Sequence, residues 1–413
     1  MLRGKASRSA ASVYLAAAVA AAVALSACTQ SASRPRATAT STPFPVVIAT
    51  PTPPASAPVT PTPSPSASLT PALMPYAPGF RPNTFTAISE TNYWVLGDAG
   101  CGTRGCPSIL HTIDGGVTFR PVTTPSASFA DIYDANSISA LRFANAYDGW
   151  AFAPGLWSTH DGGAHWKNVQ IGGVIRRLEA AGGWVFATVG ACQPPYGMGC
   201  TGYRLKRAPV GSDNWSDITP AGLGTQGPAF DLHQHSVFVL ANDSGPDAGL
   251  WVSANSGVSF ARYANPCVDL PGAPSAVSAS VVWVMCSGGH FLVPYRSLDG
   301  GRTFQATSAD PVAANGSPLV ATSAQRAYVG AVGFDLTMSQ DGGRTFTSVL
   351  ACPRDSSGAR LQCDPVFLGF SDAGVGYYIR TVQATLTQPV VIETQLWRTT
   401  DAGFSWRQVR FPS

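Results

Sequence analysis

Six times between His111 and Trp406 the chain returns to one short phrase, and that recurrence narrows the possible folds more than any other feature. The copies read TIDGGVTF (112–119), THDGGAHW (159–166), SANSGVSF (253–260), SLDGGRTF (297–304), SQDGGRTF (339–346) and TTDAGFSW (399–406). Their third residues are Asp114, Asp161, Asn255, Asp299, Asp341 and Asp401, separated by 47, 94, 44, 42 and 60 positions. The second gap is twice the first and places a degenerate copy near residue 208. There Leu205 and Trp215 stand where Leu156 and Trp166 flank the second copy, and Val210 replaces the acid. Seven units of about 45 residues have the period of propeller blades. Between the copies lie short runs such as NYWVLG, WVFATVG, SVVWVMC and GVGYYIR, rich in Val, Tyr, Trp and Phe and bounded by Gly, Asp and Asn, which read as strands. The 42 Gly and 34 Pro suit many tight turns, and no stretch has the period of a long amphipathic helix. The expectation is an all-β, seven-bladed β-propeller of four-stranded antiparallel blades over residues 78–413.

The phrase has a local chemistry. A short carboxylate followed by Gly-Gly accepts backbone N–H groups across a tight hairpin, and Gly supplies the left-handed conformations. The aromatic residue five positions on can fold back between neighbouring sheets. In these features the phrase resembles the Asp-box (BNR) repeat of sialidases, of sortilin-type domains and of photosystem II assembly propellers. That resemblance implies hairpins between the third and fourth strands of each blade, with Asp114, Asp161, Asn255, Asp299, Asp341 and Asp401 as structural residues. Two blades match further: FANAYDGW (143–150) precedes LWSTHDGGAHW, and FSDAGVGY (370–377) precedes LWRTTDAGFSW. This order is similar to the photosystem II assembly factor (Ycf48-like) family, whose members are non-enzymatic and bind a membrane-protein precursor. The architecture is carried over from that resemblance, and the partner is not.

The N-terminus addresses location. Arg3, Lys5 and Arg8 precede an apolar run from Val13 to Leu25, shorter than the roughly 20 residues of a membrane span. It ends in Leu-Ser-Ala-Cys28, which looks like a bacterial lipobox and implies a signal peptide over 1–27, cleavage before Cys28 and lipid on that thiol. Residues 28–77 shift to Ser, Thr, Ala and Pro, too poor in apolar surface to pack, and read as a disordered stalk with a reach on the order of 100 Å. The expected location is the extracytoplasmic side of a bacterial cell membrane. Without the three basic residues of the leader, 23 cationic side chains face 23 carboxylates. A neutral domain gives no electrostatic reason to expect nucleic acid.

No residue set names a reaction, a cofactor or a metal site. The first functional expectation is a monomeric, surface-tethered binding or scaffold module for an extracytoplasmic protein or glycan. The alternative is a glycan-binding or sialidase-like hydrolase propeller, with Trp157 or Tyr196 as sugar platforms. A sialidase needs an early arginine in a Phe-Arg-Ile-Pro string, two further arginines, a Tyr nucleophile, a Glu and an acidic Asp. Here FRPV (119–122) falls just after the first box, and neither Glu179 nor Glu393 has an obvious Tyr beside it. His233 and His235 read as an alternating pair in a strand, solvent-facing or hydrogen-bonded, and Arg204, Lys206 and Arg207 as a solvated basic cluster.

The remaining eight cysteines fall in close pairs: Cys101 with Cys106, Cys192 with Cys200, Cys267 with Cys286, and Cys352 with Cys363. Export, an even count and local spacing favour disulfides. Placed on four-stranded blades, all four pairs and the long hairpin between Tyr377 and Leu396 fall on the face opposite the boxes. Stiffened loops on one face suit recognition.

Overall fold

A computed structural model of the chain describes residues 79–411 except 101–105, 197–199, 225–226, 242–247, 268–270, 289–290, 309–312, 315–317 and 384–391. The expected leader, Cys28, the stalk and Cys101 lie outside the described residues. Seven sheets follow one another along the chain, at 81–122, 140–168, 174–217, 229–263, 271–306, 319–350 and 363–409, and no helix occurs among the described residues. Each sheet is an antiparallel meander whose four strands pair in chain order. Blade 5 adds a short fifth strand, Ala313–Ala314, against its third. The propeller expectation holds, with one blade per repeat.

The second strands explain the unbroken apolar runs in the sequence. Tyr93–Leu96, Gly149–Phe152, Ser236–Leu240 and Ala327–Gly330 are buried at every position, because a blade is covered on both faces by its neighbours and the alternation of side chains offers no solvent side. Seven hydrophobic clusters fill the seven blade interfaces, and each holds one aromatic from the repeated phrase. Trp166 packs between blades 1 and 2 with Trp94, Leu96 and Phe143, and Trp215 packs between blades 2 and 3. Phe260, Phe304, Phe346 and Trp406 serve the next four interfaces. Phe119 serves the interface of blades 7 and 1.

That last interface closes the ring. In six interfaces the chain itself crosses from blade to blade, but no strand is shared between blades 1 and 7, whose four strands each come from one continuous segment. Closure therefore rests on side chains. Phe85 stacks on Tyr377 at 3.9 Å between ring centres and meets Tyr93 and Phe367 edge-on. Phe80, just before the first strand, meets Phe411, just after the last, at 4.8 Å. Arg398 and Tyr377 both donate to the carbonyl of Glu90, at 2.8 and 3.3 Å.

Candidate functional site

The repeated turns come first, because they decide which carboxylates are free for chemistry. At Asp299 the carboxylate accepts the Thr303 N–H (2.9 Å), the Thr303 hydroxyl (2.7 Å) and the Ser297 hydroxyl (2.8 Å). Ser297 Oγ in turn accepts the Gly301 N–H at 2.8 Å. Asp114, Asp161, Asp341 and Asp401 repeat this pattern with Thr112, Thr159, Ser339 and Thr399, and Asn255 repeats it with Ser253. Hydrogen bonds from the turn hold Asp161, Asp299 and Asp341 down at about 2, with the backbone N–H of His165, Thr303 or Thr345 the largest cause. Asp114 is depressed further, chiefly by the Thr118 hydroxyl. The buried hydroxyl two positions before each acid is a member of the motif that reasoning from the carboxylate alone misses. Its signal was present, since all six copies carry Ser or Thr there. Each turn also docks on the first hairpin of its own blade: the N–H groups of Gly115, Gly162, Ser256, Gly300, Gly342 and Ala402 donate to the carbonyls of Thr91, Tyr147, His235, Ser280, Gln325 and Gly374. In blade 3 Val210 donates to Gly183 instead. These carboxylates direct both oxygens to their own turns and hold them together.

The first hairpins and the repeated turns share one face, so the second-to-third hairpins and the blade connections lie on the other. Cys192–Cys200 bridges such a hairpin in blade 3. Cys267–Cys286 ties the connection before blade 5 to its second strand, and Cys352–Cys363 closes the connection from blade 6 to blade 7. Cys106 begins the corresponding position in blade 1, while Cys101 is outside the described residues. Around Cys352–Cys363 the hairpin 331–335 is braced: the Gly333 N–H donates to the Cys363 carbonyl at 2.8 Å, and Asp335 accepts the Cys352 N–H at 2.9 Å and pairs with Arg360 at 3.0 Å. Its apex presents Phe334, 55% exposed, and the third strand of blade 7 begins at Ile392, 58% exposed.

The axis of the ring holds a cavity of about 480 Å³, lined by the first strands of all seven blades. Its two sides differ. Blades 2, 3 and 4 contribute Arg142, Arg177, Glu179 and Asp231, while blades 5, 6, 7 and 1 contribute such residues as Pro274, Leu319, Phe367 and Phe85. Arg142 Nη2 lies 2.8 Å from each oxygen of Glu179, and Arg177 approaches the same carboxylate at 3.8 Å. Asp231 Oδ2 accepts the Ala276 N–H of blade 5 at 2.7 Å. Burial pushes the Asp231 carboxyl up to about 6, against the opposing pull of Arg177 and with a contribution from Glu179. Of these four, only Glu179 had drawn notice in the sequence.

Other expectations resolve individually. His233 ends one strand and His235 precedes the next, so the pair straddles a tight hairpin instead of alternating along a strand, and His235 meets Ser256 Oγ at 3.0 Å. The basic cluster is dispersed: Arg204 pairs with Asp217 at 3.0 Å, Lys206 donates to the Ile171 carbonyl at 2.7 Å, and Arg207 donates to the Ser256 carbonyl and lies over Trp184. FRPV enters the outermost strand of blade 1, far from the axis. Trp157 is no open platform, because it is half-buried and its indole donates to the Asn136 carbonyl at 3.1 Å; Tyr196 is half-buried as well. Glu393 is exposed on the third strand of blade 7. Among the described residues no group of three or more His, Cys, Asp or Glu side chains is placed to hold a metal ion.

No family model matches the sequence, and no curated relative does. Solved structures do match its fold. YCF48 bound to D1 peptide superposes with a TM-score of 0.52 at 14% identity, over 79% of this chain and 95% of that one. YCF48 from Cyanidioschyzon merolae gives 0.50 at 14%, over 79% and 97%. The β-propeller domain of the Trilobed protease from Pyrococcus furiosus, which has an open velcro topology, gives 0.50 at 9%, over 80% and 98%. At these identities the likeness is one of fold.

Proposed function

We propose that this chain is a non-enzymatic, extracytoplasmic binding propeller, tethered through lipid on Cys28, that recognises a protein segment with its disulfide-bearing face. The observation that carries the reading is the placement of three disulfides on the face where Phe334 and Ile392 stand exposed. Cross-links closing loops of 8, 19 and 11 residues define those loops as well as stabilising the fold, and a defined loop loses less entropy on binding. Exposed apolar residues beside braced loops are the kind of anchor such interfaces use. The superposition with a propeller bound to a peptide is consistent with this role, and the partner here is taken to be an extracytoplasmic protein segment. A sialidase-type centre requires a Tyr nucleophile, and no Tyr is among the described residues lining the axial cavity.

The experiment is an in-cell cross-linking capture of membrane partners with the wild type, the double variant Phe334→Asp/Ile392→Asp, and Asp299→Ala as a turn control. The reading expects the same membrane-protein partner with the wild type and the control, its loss from the face variant, and a lowered melting temperature only in the control. The reverse pattern, or cleavage of a fluorogenic sialoside by the wild type, overturns it.

A further inference from the structure

The axial cavity is a separate feature from the disulfide-bearing loops. It is built from one short strand of each blade, and its charged residues come from three consecutive blades: Arg142 from Ala140–Phe143, Arg177 and Glu179 from Val174–Ala181, and Asp231 from Ala229–His233. The charges are unevenly matched. Both guanidinium groups converge on Glu179, Arg142 at 2.8 Å to each oxygen and Arg177 at 3.8 Å. Asp231 has no ion-pair partner within 4.0 Å among the described residues; its Oδ2 is met by a backbone N–H. The strands that face it from the other blades bring no charge to the cavity: Pro274, Ser275 and Ala276 from blade 5, Leu319 from blade 6, Phe367 from blade 7, and Phe85 and Ala87 from blade 1. His233 shares the face of Asp231 on its own strand but does not line the cavity.

We propose that the axial cavity binds an organic cation on an apolar stem, an ammonium or guanidinium group that pairs with Asp231 while its stem lies against Phe85, Phe367 and Leu319. The chemistry follows from what the cavity lacks. A carboxylate placed there meets Asp231 and Glu179 as like charges, and both arginines already lean on Glu179. An ammonium group supplies the one missing partner, and the hydrocarbon behind it covers the uncharged wall. Buried charges are stable when paired, and a ligand cation gives Asp231 the close ion-pair partner that Arg142 and Arg177, both directed at Glu179, do not supply. The volume of about 480 Å³ is within the range of small-ligand sites. Two guanidinium groups beside two carboxylates make a poor cage for a metal ion, which requires three or more oxygens free of other cations.

Protonation of Asp231 adds a sign. With the carboxyl lifted to about 6, it is mostly ionised at pH 7.5 and mostly neutral at pH 5. A cation therefore binds less well as pH falls, by about tenfold at pH 5, whereas an anion binds better because the cavity then carries net positive charge. Burial sets this titration first, followed by Arg177, Glu179 and the backbone N–H groups of Ala276 and Leu232.

The test is calorimetric titration of the full propeller with n-pentylamine, its anionic counterpart valerate and the neutral pentanol, at pH 7.5 and pH 5. Nα-acetyl-lysine methylamide and a lysine-bearing extended peptide form a second arm that separates a free small amine from a partner's side chain. The expected result is binding of pentylamine in preference to valerate and pentanol, with about tenfold loss at pH 5. Asp231→Asn keeps an acceptor for the Ala276 N–H and should fold with unchanged circular dichroism while losing the amine. Tighter binding of valerate, affinity that rises as pH falls, or an Asp231→Asn variant that binds amine as the wild type does each overturns the proposal. The pH and isostere comparisons use the wild type alone, so they decide the matter even if the variant does not fold. Loss of the partner in the capture experiment leaves this result untouched, since that experiment alters a different face.

Discussion

Phe85→Ala tests the claim that the ring is closed by side chains. Phe85 is 3% exposed, stacks on Tyr377 across the seam and touches Tyr93 and Phe367 edge-on. Truncating a buried Phe to Ala costs about 3–5 kcal/mol, a large share of the roughly 5–15 kcal/mol that holds a domain folded. Phe186→Ala is the control: Phe186 is as buried, and it packs between blades 3 and 4, where the chain crosses directly from one blade to the next. Both variants should lose similar global stability in urea titration. They should differ in how they open. Blades 3 and 4 stay tethered when their interface loosens, but blades 1 and 7 are held by side-chain contacts alone, among them the Phe85–Tyr377 stack, the Phe80–Phe411 contact and the bonds to the Glu90 carbonyl. If opening at the seam limits exchange, 3–5 kcal/mol accelerates the amides of Arg81–Ala87 by roughly two to four orders of magnitude. Native-state hydrogen exchange reads this directly. Amides of Arg81–Ala87 in Phe85→Ala that exchange no faster than those of Val174–Ala181 in Phe186→Ala would refute the side-chain closure argument.

Three further outcomes follow from the turns and the N-terminus. Ala402 sits at φ 59° where four other copies carry Gly, and a non-Gly residue in that region is strained by about 1–2 kcal/mol, so Ala402→Gly should raise the unfolding free energy in urea titration by about 0.5–1 kcal/mol after the entropic loss of Gly; an unchanged or lowered stability contradicts it. Asp161, Asp299 and Asp341 titrate at about 2 when folded and near 3.8 when unfolded, so their stabilisation is present above the unfolded value and is lost as pH falls from about 4 through about 2, and a flat stability profile over that window rules the account out. Cys28→Ala should leave an unlipidated precursor by mass spectrometry, and normal processing with membrane retention would remove the tether from the proposed function.

The blade count was legible because the repeated phrase is local. Its acid, its hydroxyl, its glycines and its aromatic lie within eight residues, so hydrogen bonding within one turn determines all of them. The degenerate third copy shows how the reading tolerates loss: Val210 cannot accept the N–H groups, yet Trp215 still fills its interface and Val210 still docks on the first hairpin through its own N–H. Three of the disulfide pairs, Cys192–Cys200, Cys267–Cys286 and Cys352–Cys363, were legible for the same reason of short separation. Closure was not, because it joins Phe85 to Tyr377 and Glu90 to Arg398 across almost the whole domain, and nothing in the local pattern distinguishes a shared strand from an aromatic seam.

The axial cavity was hidden for a stronger reason. Arg142, Glu179 and Asp231 lie 37 and 52 residues apart along the chain, each on a different blade, and each blade supplies only a strand of four to eight residues to the axis. In a repeat protein the shared positions build the scaffold, so the positions that depart from the shared pattern are the ones free to carry specificity. On the first strands that departure is plain once the ring is assembled: charge in blades 2, 3 and 4, apolar or small side chains in blades 5, 6, 7 and 1. A closed ring has no mechanical need for that asymmetry, since the apolar lining of four blades shows that the axis packs without charge. Burying Asp231 without an ion-pair partner costs stability, and the scaffold gains nothing from the carboxylate that a neutral acceptor for the Ala276 N–H would not supply. A cost borne at one axial position of one blade, in a domain whose repeated carboxylates are all fully satisfied, points to a ligand and not to the fold as the reason it is there.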